Sequence, residues 1–156
     1  MRPINLSVMP DLVTLYNVYR HPSTGKLSYF KTFLKNTRLD SVSSTIYVAT
    51  TGWTRTVTAN LLVDPKTTQQ YRRGTGGIKI NKKFMEFAAW DALSNADRDR
   101  FWTLREGDCI VHLSSNGESD AVSVAEITAL NPRRINSINP ILLKNGVLHH
   151  WEVNLV

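Results

Sequence analysis

The chain has 156 residues, 42% of them apolar and 21% charged, and a formal net charge of +6. A chain of this length can bury about two-thirds of the surface that it exposes when unfolded, so we expect one domain with its own core. The single cysteine, Cys109, excludes an internal disulfide and a cysteine-based zinc site. We also expect neither a membrane span nor a signal peptide, because no apolar run is long enough.

The positive charge is concentrated in the middle of the chain. Residues 1–64 hold seven Lys/Arg against three Asp/Glu, a net of +4, and residues 86–156 hold six against ten, a net of −4. Residues 65–85 hold six basic residues and no acidic one, a net of +6, so this segment alone equals the excess of the whole protein.

Alternation of apolar and polar residues predicts strands through the first half of the chain. Residues 12–19 and 27–33 are two such runs, and the turn formers at 21–25 between them predict a hairpin. Residues 41–50 and 53–63 form two further strands, separated by Thr51-Gly52. The Asp64-Pro65 step ends the last of these strands, because proline has no amide hydrogen for a continuing ladder.

The basic segment shows neither the two-residue period of a strand nor the 3.6-residue period of a helix. Its three glycines at 74, 76 and 77 favour flexibility. We therefore expect residues 65–83 to form a long protruding loop, which in a compact domain is usually functional or disordered. The candidate binding residues are its six cations: Lys66, Arg72, Arg73, Lys79, Lys82 and Lys83.

Helical spacing from Phe84 to Asp91 predicts a short helix, and Ser94 is a natural N-cap for a second one. Two strands then flank a turn at Glu106-Gly107. Asn116-Gly117 and Asn145-Gly146 are strong hairpin signals, and the second predicts pairing of residues 141–144 with residues 147–153. The prediction is a mainly β domain, a small barrel or sandwich of about seven strands with one or two short helices.

The residues offer no familiar catalytic or cofactor-binding pattern, so we expect neither an enzyme nor a cofactor. His149 and His150 are neighbours on a predicted strand, which would point their side chains to opposite faces and away from a shared metal ion. The Gly74-Thr75-Gly76-Gly77 run lacks the spacing and the Lys-Ser/Thr ending of a phosphate-binding loop. Cys109, in the middle of a strand, is more typical of an inert buried thiol than of a nucleophile.

Six clustered cations favour association with an anionic partner, without specifying which. They are compatible with non-specific contact to a nucleic-acid backbone, with contact to an acidic protein surface, or with a merely solvated loop.

Four motifs in order resemble the minor capsid or head–tail joining proteins of long-tailed phages that infect Gram-positive bacteria. They are VTLYNVYRHPSTGKLSYFKT, ANLLVDPK, AAWDALSNADRDRFWTLREGDCIVHL and HHWEV, and together they extend over about residues 12–154. The first eleven residues, the basic segment and His112-Leu113 depart from that pattern.

The resemblance implies a head-completion or stopper subunit: a β-barrel that forms a homo-oligomeric ring between the portal or adaptor and the tail, and lines or closes the DNA channel. Such a subunit would belong to the neck of the virion, and to the host cytoplasm during assembly. The basic segment would face packaged DNA or a partner, while Trp102, Gly107, Asp108 and Trp151 would maintain the fold. The alternatives are a small-barrel nucleic-acid-binding module and a tail-completion subunit.

Overall fold

The computed structural model describes residues 9–113 and 117–156, which are mainly β-structure with three short helices. The ten strands are β1 (Asp11–Arg20), β2 (Leu27–Val48), β3 (Gly52–Val63), β4 (Gln69–Arg73), β5 (Lys79–Asn81), β6 (Lys83–Phe84), β7 (Phe101–Trp102), β8 (Cys109–Val111), β9 (Arg133–Leu142) and β10 (Leu148–Leu155). The helices are α1 (Phe87–Asp91), α2 (Asn95–Arg98) and α3 (Val124–Ala129). Each helix is four to six residues long, so none of these three is able to cross a membrane.

Six strands close into a barrel in the order β1-β8-β9-β10-β3-β2, and β2 then pairs with β1 again. Every pairing within this barrel is antiparallel. The predicted mainly β barrel is therefore confirmed.

One long strand, β2, contributes to two sides of the barrel. Its first half pairs with β1 and its second half with β3, and Asn36 lies between the two halves with a positive φ of 63°. The prediction of separate strands at 27–33 and 41–50 is thus wrong. The polar residues at 35–38 conceal the continuity, because they interrupt the alternation although Lys35, Thr37 and Arg38 remain paired on either side of Asn36.

Apolar side chains from the six barrel strands fill the interior, and Trp102 and Trp151 pack against each other with ring centroids 5.9 Å apart. Phe84 contacts both indoles, at 5.1 and 4.7 Å. The buried aliphatic members are Val13, Leu15, Leu34, Ala59, Leu61, Val63, Leu104, Ile110, Ile135, Val153 and Leu155. This core accounts for the alternation seen in β1, β3 and β10, because an inward side chain recurs at every second residue of a strand.

Most local signals in the sequence correspond to real elements. The Asn145-Gly146 turn joins β9 to β10, with the Gly146 amide donating to the Leu143 carbonyl. The side chain of Ser94 accepts from the Asp97 amide and caps α2 as predicted. Asn116, the first residue of the other hairpin signal, lies outside the described residues.

The basic segment is not the structureless loop that we expected. Residues 69–73 and 79–81 form β4 and β5, a hairpin whose tip is a 3₁₀ turn at Thr75–Gly77. β4 pairs with Phe33–Lys35 of β2, which extends the sheet beyond the barrel. The prediction failed because β4 and β5 are too short, and too polar on their outer side, to show a period.

Candidate interaction surfaces

The basic hairpin is anchored to the barrel through Tyr71. Its ring is 3% exposed and packs against Phe33 of β2, with ring centroids 5.5 Å apart. Because side chains alternate along a strand, this inward ring leaves Arg72 on the opposite face from Tyr71. The β4–β5 hairpin is therefore packed against the barrel as part of the fold and is not a free loop.

Arg73 is held by an acidic residue from a distant segment. Its guanidinium lies 3.0 Å from Oε1 of Glu118, and the Tyr71 hydroxyl donates to the same oxygen at 2.6 Å. The hydrogen bond from Arg73 lowers the pKa of Glu118, whereas burial, followed by the contacts with Glu118, raises the pKa of Tyr71 to about 12. The cluster joins β4 to the segment after β8.

Arg72 makes a second link, to the helical region. Its Nε lies 2.9 Å from Oδ2 of Asp99, the C-cap of α2, and the Arg72 side chain is 28% exposed. Asp99 and Glu118 thus neutralise two of the six cations on which the binding hypothesis depends.

Lys82 is buried, with 3% of its surface exposed, and its ammonium donates to the Lys31 carbonyl at 3.1 Å. The pKa of Lys82 is lowered to about 8, mainly by burial; Asp99 opposes this shift and Arg72 adds to it. An ammonium in this position is not accessible to a partner.

The other three cations of the segment are exposed: Lys66, Lys79 and Lys83. Lys79 donates to Oε1 of Gln69 at 2.6 Å and lies 4.5 Å from the centre of the Tyr71 ring. Arg73 is exposed as well, but Glu118 already pairs with it, so half of the six cations remain for an anionic partner.

Asp108 lies at the centre of a buried hydrogen-bond network. Its Oδ1 accepts from the Val18 amide at 3.0 Å and its Oδ2 from the Asn17 side chain at 2.8 Å. The backbone of Arg105, in the same turn, is a further donor. Asn17 in turn bonds to both backbone groups of Thr103. Burial outweighs these donors and raises the pKa of Asp108 to about 6.

This network explains the motifs that carry the phage resemblance. Asn17 ends the stretch TLYN of the first motif, while Thr103 in WTL and Asp108 in GD belong to the third motif. The side chain of Asn17 bonds to both of these residues, and all three are buried. Gly107 lies in the turn between them, and its amide donates to the Ile135 carbonyl at 2.8 Å. Trp102 and Trp151 lie in the core. The motif residues therefore hold β1, the 103–108 turn and β9 together.

A surface that the sequence analysis missed is the arm, which we define as residues 42–58 of the β2–β3 hairpin. Within the described chain, these parts of β2 and β3 pair only with each other, since β10 reaches β3 only at residues 59–63. Tyr47 is 65% exposed and Trp53 is 75% exposed, with ring centroids 5.4 Å apart. Two aromatic residues in a run otherwise rich in Ser and Thr were the available signal.

An apolar groove of about 420 Å³ lies beside α3. Its lining combines four apolar side chains with two carboxylates at the edge and one serine: Leu113, Ala121, Ala129, Leu130, Asp120, Glu126 and Ser119. Sequence reasoning missed α3, although Ser123 and Glu126 form a capping box that marks its start.

A second, more polar cavity of about 220 Å³ shares Leu130 with that groove. It also contains Ser41, at the base of the arm, together with Arg133, whose guanidinium lies 3.5 Å from the Val57 carbonyl. The base of the arm and the groove are therefore close neighbours on the surface.

The prediction that His149 and His150 point to opposite faces is wrong. An irregularity in the pairing between Leu148 and His150 brings the two Nδ1 atoms within 2.7 Å of each other. His150 also lies 3.5 Å from Glu152. Across the described ranges, 9–113 and 117–156, no three His, Cys, Asp or Glu side chains lie together as metal ligands.

Cys109 is buried between β1, β8 and α3, beside Tyr16, Val111 and Ile127. Burial raises the pKa of its thiol, which keeps the sulfur protonated and unreactive at neutral pH.

Comparison with known proteins identified no relative. A scan against protein-family models, a search of curated proteins and a search of solved structures each gave no match.

Proposed function

We propose that this chain is a non-enzymatic structural subunit of a long-tailed phage, a head–tail connector that assembles as a ring between the portal or adaptor and the tail. The observation that carries the proposal is the arm, because it places two large aromatic side chains in water at 65% and 75% exposure. Exposed apolar surface of this kind marks a protein–protein contact. A two-stranded ribbon is only marginally stable on its own. A partner that covers the arm would stabilise it, which explains how so long a ribbon is kept.

The motif residues support the same assignment. The motifs TLYN, WTL, GD and HWEV each contribute residues to the buried hydrogen-bond network or to the aromatic core of the barrel. This shared role explains why they occur together in one chain. The resemblance thus rests on residues that build the fold, and the hairpin and the arm lie outside the four motifs.

The charge distribution is compatible with a ring. Residues 1–64 carry +4 and residues 86–156 carry −4, and a ring subunit needs two different flanks that complement each other. The exposed Lys66, Lys79 and Lys83 would face packaged DNA or an acidic neighbour.

Electron microscopy of phage particles tests the proposal. Particles assembled with an epitope-tagged chain should carry gold label at the neck between the shell and the tail. Removal of the chain should leave filled heads without tails. Label on the tail below the neck would indicate a tail-completion subunit instead. Absence from particles, together with tight DNA binding by the monomer, would indicate a nucleic-acid-binding module.

A further inference from the structure

The arm and the groove are complementary in chemistry. The tip of the arm presents Tyr47 and Trp53, and the only charged residue of the arm in the sequence is Arg55. The groove offers about 420 Å³ of mostly apolar space, with the carboxylates of Asp120 and Glu126 at its edge.

From this complementarity we infer that the aromatic tip of one copy's arm docks into the groove beside α3 of the next copy. The Trp53 ring would contact Ala129 and Leu130, and its indole N–H would donate to an edge carboxylate. Trp and Tyr are the residues that most often dominate binding at such contacts, because they bury much area with few rotatable bonds.

An arm that fills the groove belongs to another copy of the chain, and the length of the arm shows why. Six residues separate Ser41, at the base, from Tyr47, so the tip lies about 20 Å from the base at the usual rise of a strand. The groove lies near the base, since Leu130 lines both it and the cavity that contains Ser41. An arm that remains paired as a ribbon therefore carries its tip away from its own groove.

The contact is head-to-tail, because the two surfaces involved are different. Such contacts close into a ring when the rotation between neighbours allows it. Each subunit then uses its arm once and its groove once. The inference rests on the proposed function as a ring subunit and adds the surfaces that would join its copies.

Sedimentation velocity over a concentration series of the full-length chain tests this inference. Two variants each remove one surface: Trp53→Ser shortens the tip and Ala129→Trp fills the groove. Both positions are exposed, so folding should be retained, as circular dichroism will verify. The matched controls are Val147→Ser, an exposed apolar residue far along the chain from the arm, and Ala129→Ser, which leaves the groove open.

We expect the wild type and both controls to associate, and each surface variant to associate at least about tenfold more weakly. An equimolar mixture of the two surface variants should form dimers and nothing larger, because one intact arm and one intact groove remain in the pair. If the groove variant assembles like the wild type while the tip variant does not, the tip docks elsewhere and the inference fails. If both variants still form rings, the inference also fails, but the proposed ring function stands.

Disulfide trapping covers association that is too weak to sediment. The only natural cysteine is buried, so thiols introduced by Thr54→Cys, near the tip, and Ala129→Cys, in the groove, have little background. Mixing these two variants under mild oxidation should give a cross-linked dimer. A yield no higher than that of Thr54→Cys mixed with Val147→Cys would overturn the inference, whatever the location of the chain in particles.

Discussion

Asp108 is a buried carboxylate whose two oxygens accept from Val18 and Asn17 of β1. Replacement by asparagine keeps the shape but places an NH₂ group against the Asn17 amide, which leaves a buried donor without an acceptor. We expect Asp108→Asn to lower the free energy of unfolding at pH 7 by about 1–3 kcal/mol, measured by urea denaturation.

The same residue predicts a pH dependence. The pKa of Asp108 rises from 3.8 to about 6 on folding, so between these values the folded state binds a proton more tightly than the unfolded state. The contribution of Asp108 to the free energy of unfolding therefore falls as the pH rises from about 4 to 6, by on the order of 3 kcal/mol. The wild type should exceed Asp108→Asn by more at pH 4.5 than at pH 7.5. A constant difference would contradict the burial effect.

Lys82 makes the opposite prediction at alkaline pH. Burial lowers its pKa from 10.5 to about 8, so below pH 8 the folded chain carries a poorly solvated charge, and this cost is relieved as the pH rises from about 8 to 10.5. We expect Lys82→Met to raise the free energy of unfolding by about 1–2 kcal/mol at pH 7 and to lose this advantage by pH 10.

Chemical denaturation at the two pH values measures this effect, and Lys83→Met, at the exposed neighbour, is the control. The control should change the free energy of unfolding by less than about 0.5 kcal/mol at either pH. A loss of stability in Lys82→Met at pH 7 would mean that its hydrogen bond to the Lys31 carbonyl outweighs the desolvation of the charge.

At the scale of elements, the segment after β8 holds the barrel wall by a close approach to β1. Gly117 has a φ of +73°, and an added Cβ would lie 2.3 Å from the Leu12 carbonyl oxygen. Its own carbonyl accepts from the Thr14 hydroxyl at 2.7 Å. Gly117→Ala must therefore either displace this segment or strain the strand.

We expect Gly117→Ala to lower the melting temperature strongly, with a loss of about 2–4 kcal/mol. The matched control is Gly146→Ala, which has a similar φ of +79° but nothing within 4 Å of the added atom. The control should lose only about 1–2 kcal/mol, the cost of the backbone conformation itself. Equal losses would show that the approach to Leu12 is easily relieved.

The elements that could be predicted from the sequence are those whose signals are local. The Asn145-Gly146 turn, the Ser94 cap and the alternation of β1 and β3 each depend on a few adjacent residues. β4 and β5 are different, because they are stabilised by the packing of Tyr71 on Phe33 and by acids far along the chain. No short-range pattern encodes such partners.

The candidate site shows the same limit. The sequence shows six cations in one segment, but not that Arg72 meets Asp99, that Arg73 meets Glu118 or that Lys82 is buried. Those facts depend on tertiary structure. The exposure of Trp53 could not be predicted either, because a tryptophan on an alternating strand is usually buried.

For the whole molecule, the pairing of Arg72 and Arg73 with acids and the burial of Lys82 limit how the basic segment can bind nucleic acid. Each phosphate contact changes the slope of log affinity against log salt by about −0.9 for duplex DNA. Lys66, Lys79 and Lys83 together would contribute a slope of about −3, whereas all six cations of the segment would contribute about −5.

We therefore expect the triple variant Lys66→Gln, Lys79→Gln, Lys83→Gln to make the measured slope shallower by about 3 units. Arg72→Gln with Arg73→Gln should change the slope by less than about 1, while lowering stability through the lost links to Asp99 and Glu118. Fluorescence anisotropy with a short duplex at several salt concentrations measures both slopes. A larger effect of the arginine variant on the slope would mean that both arginines leave their acidic partners when DNA binds. The hairpin would then be a mobile DNA-binding element and not a fixed part of the fold.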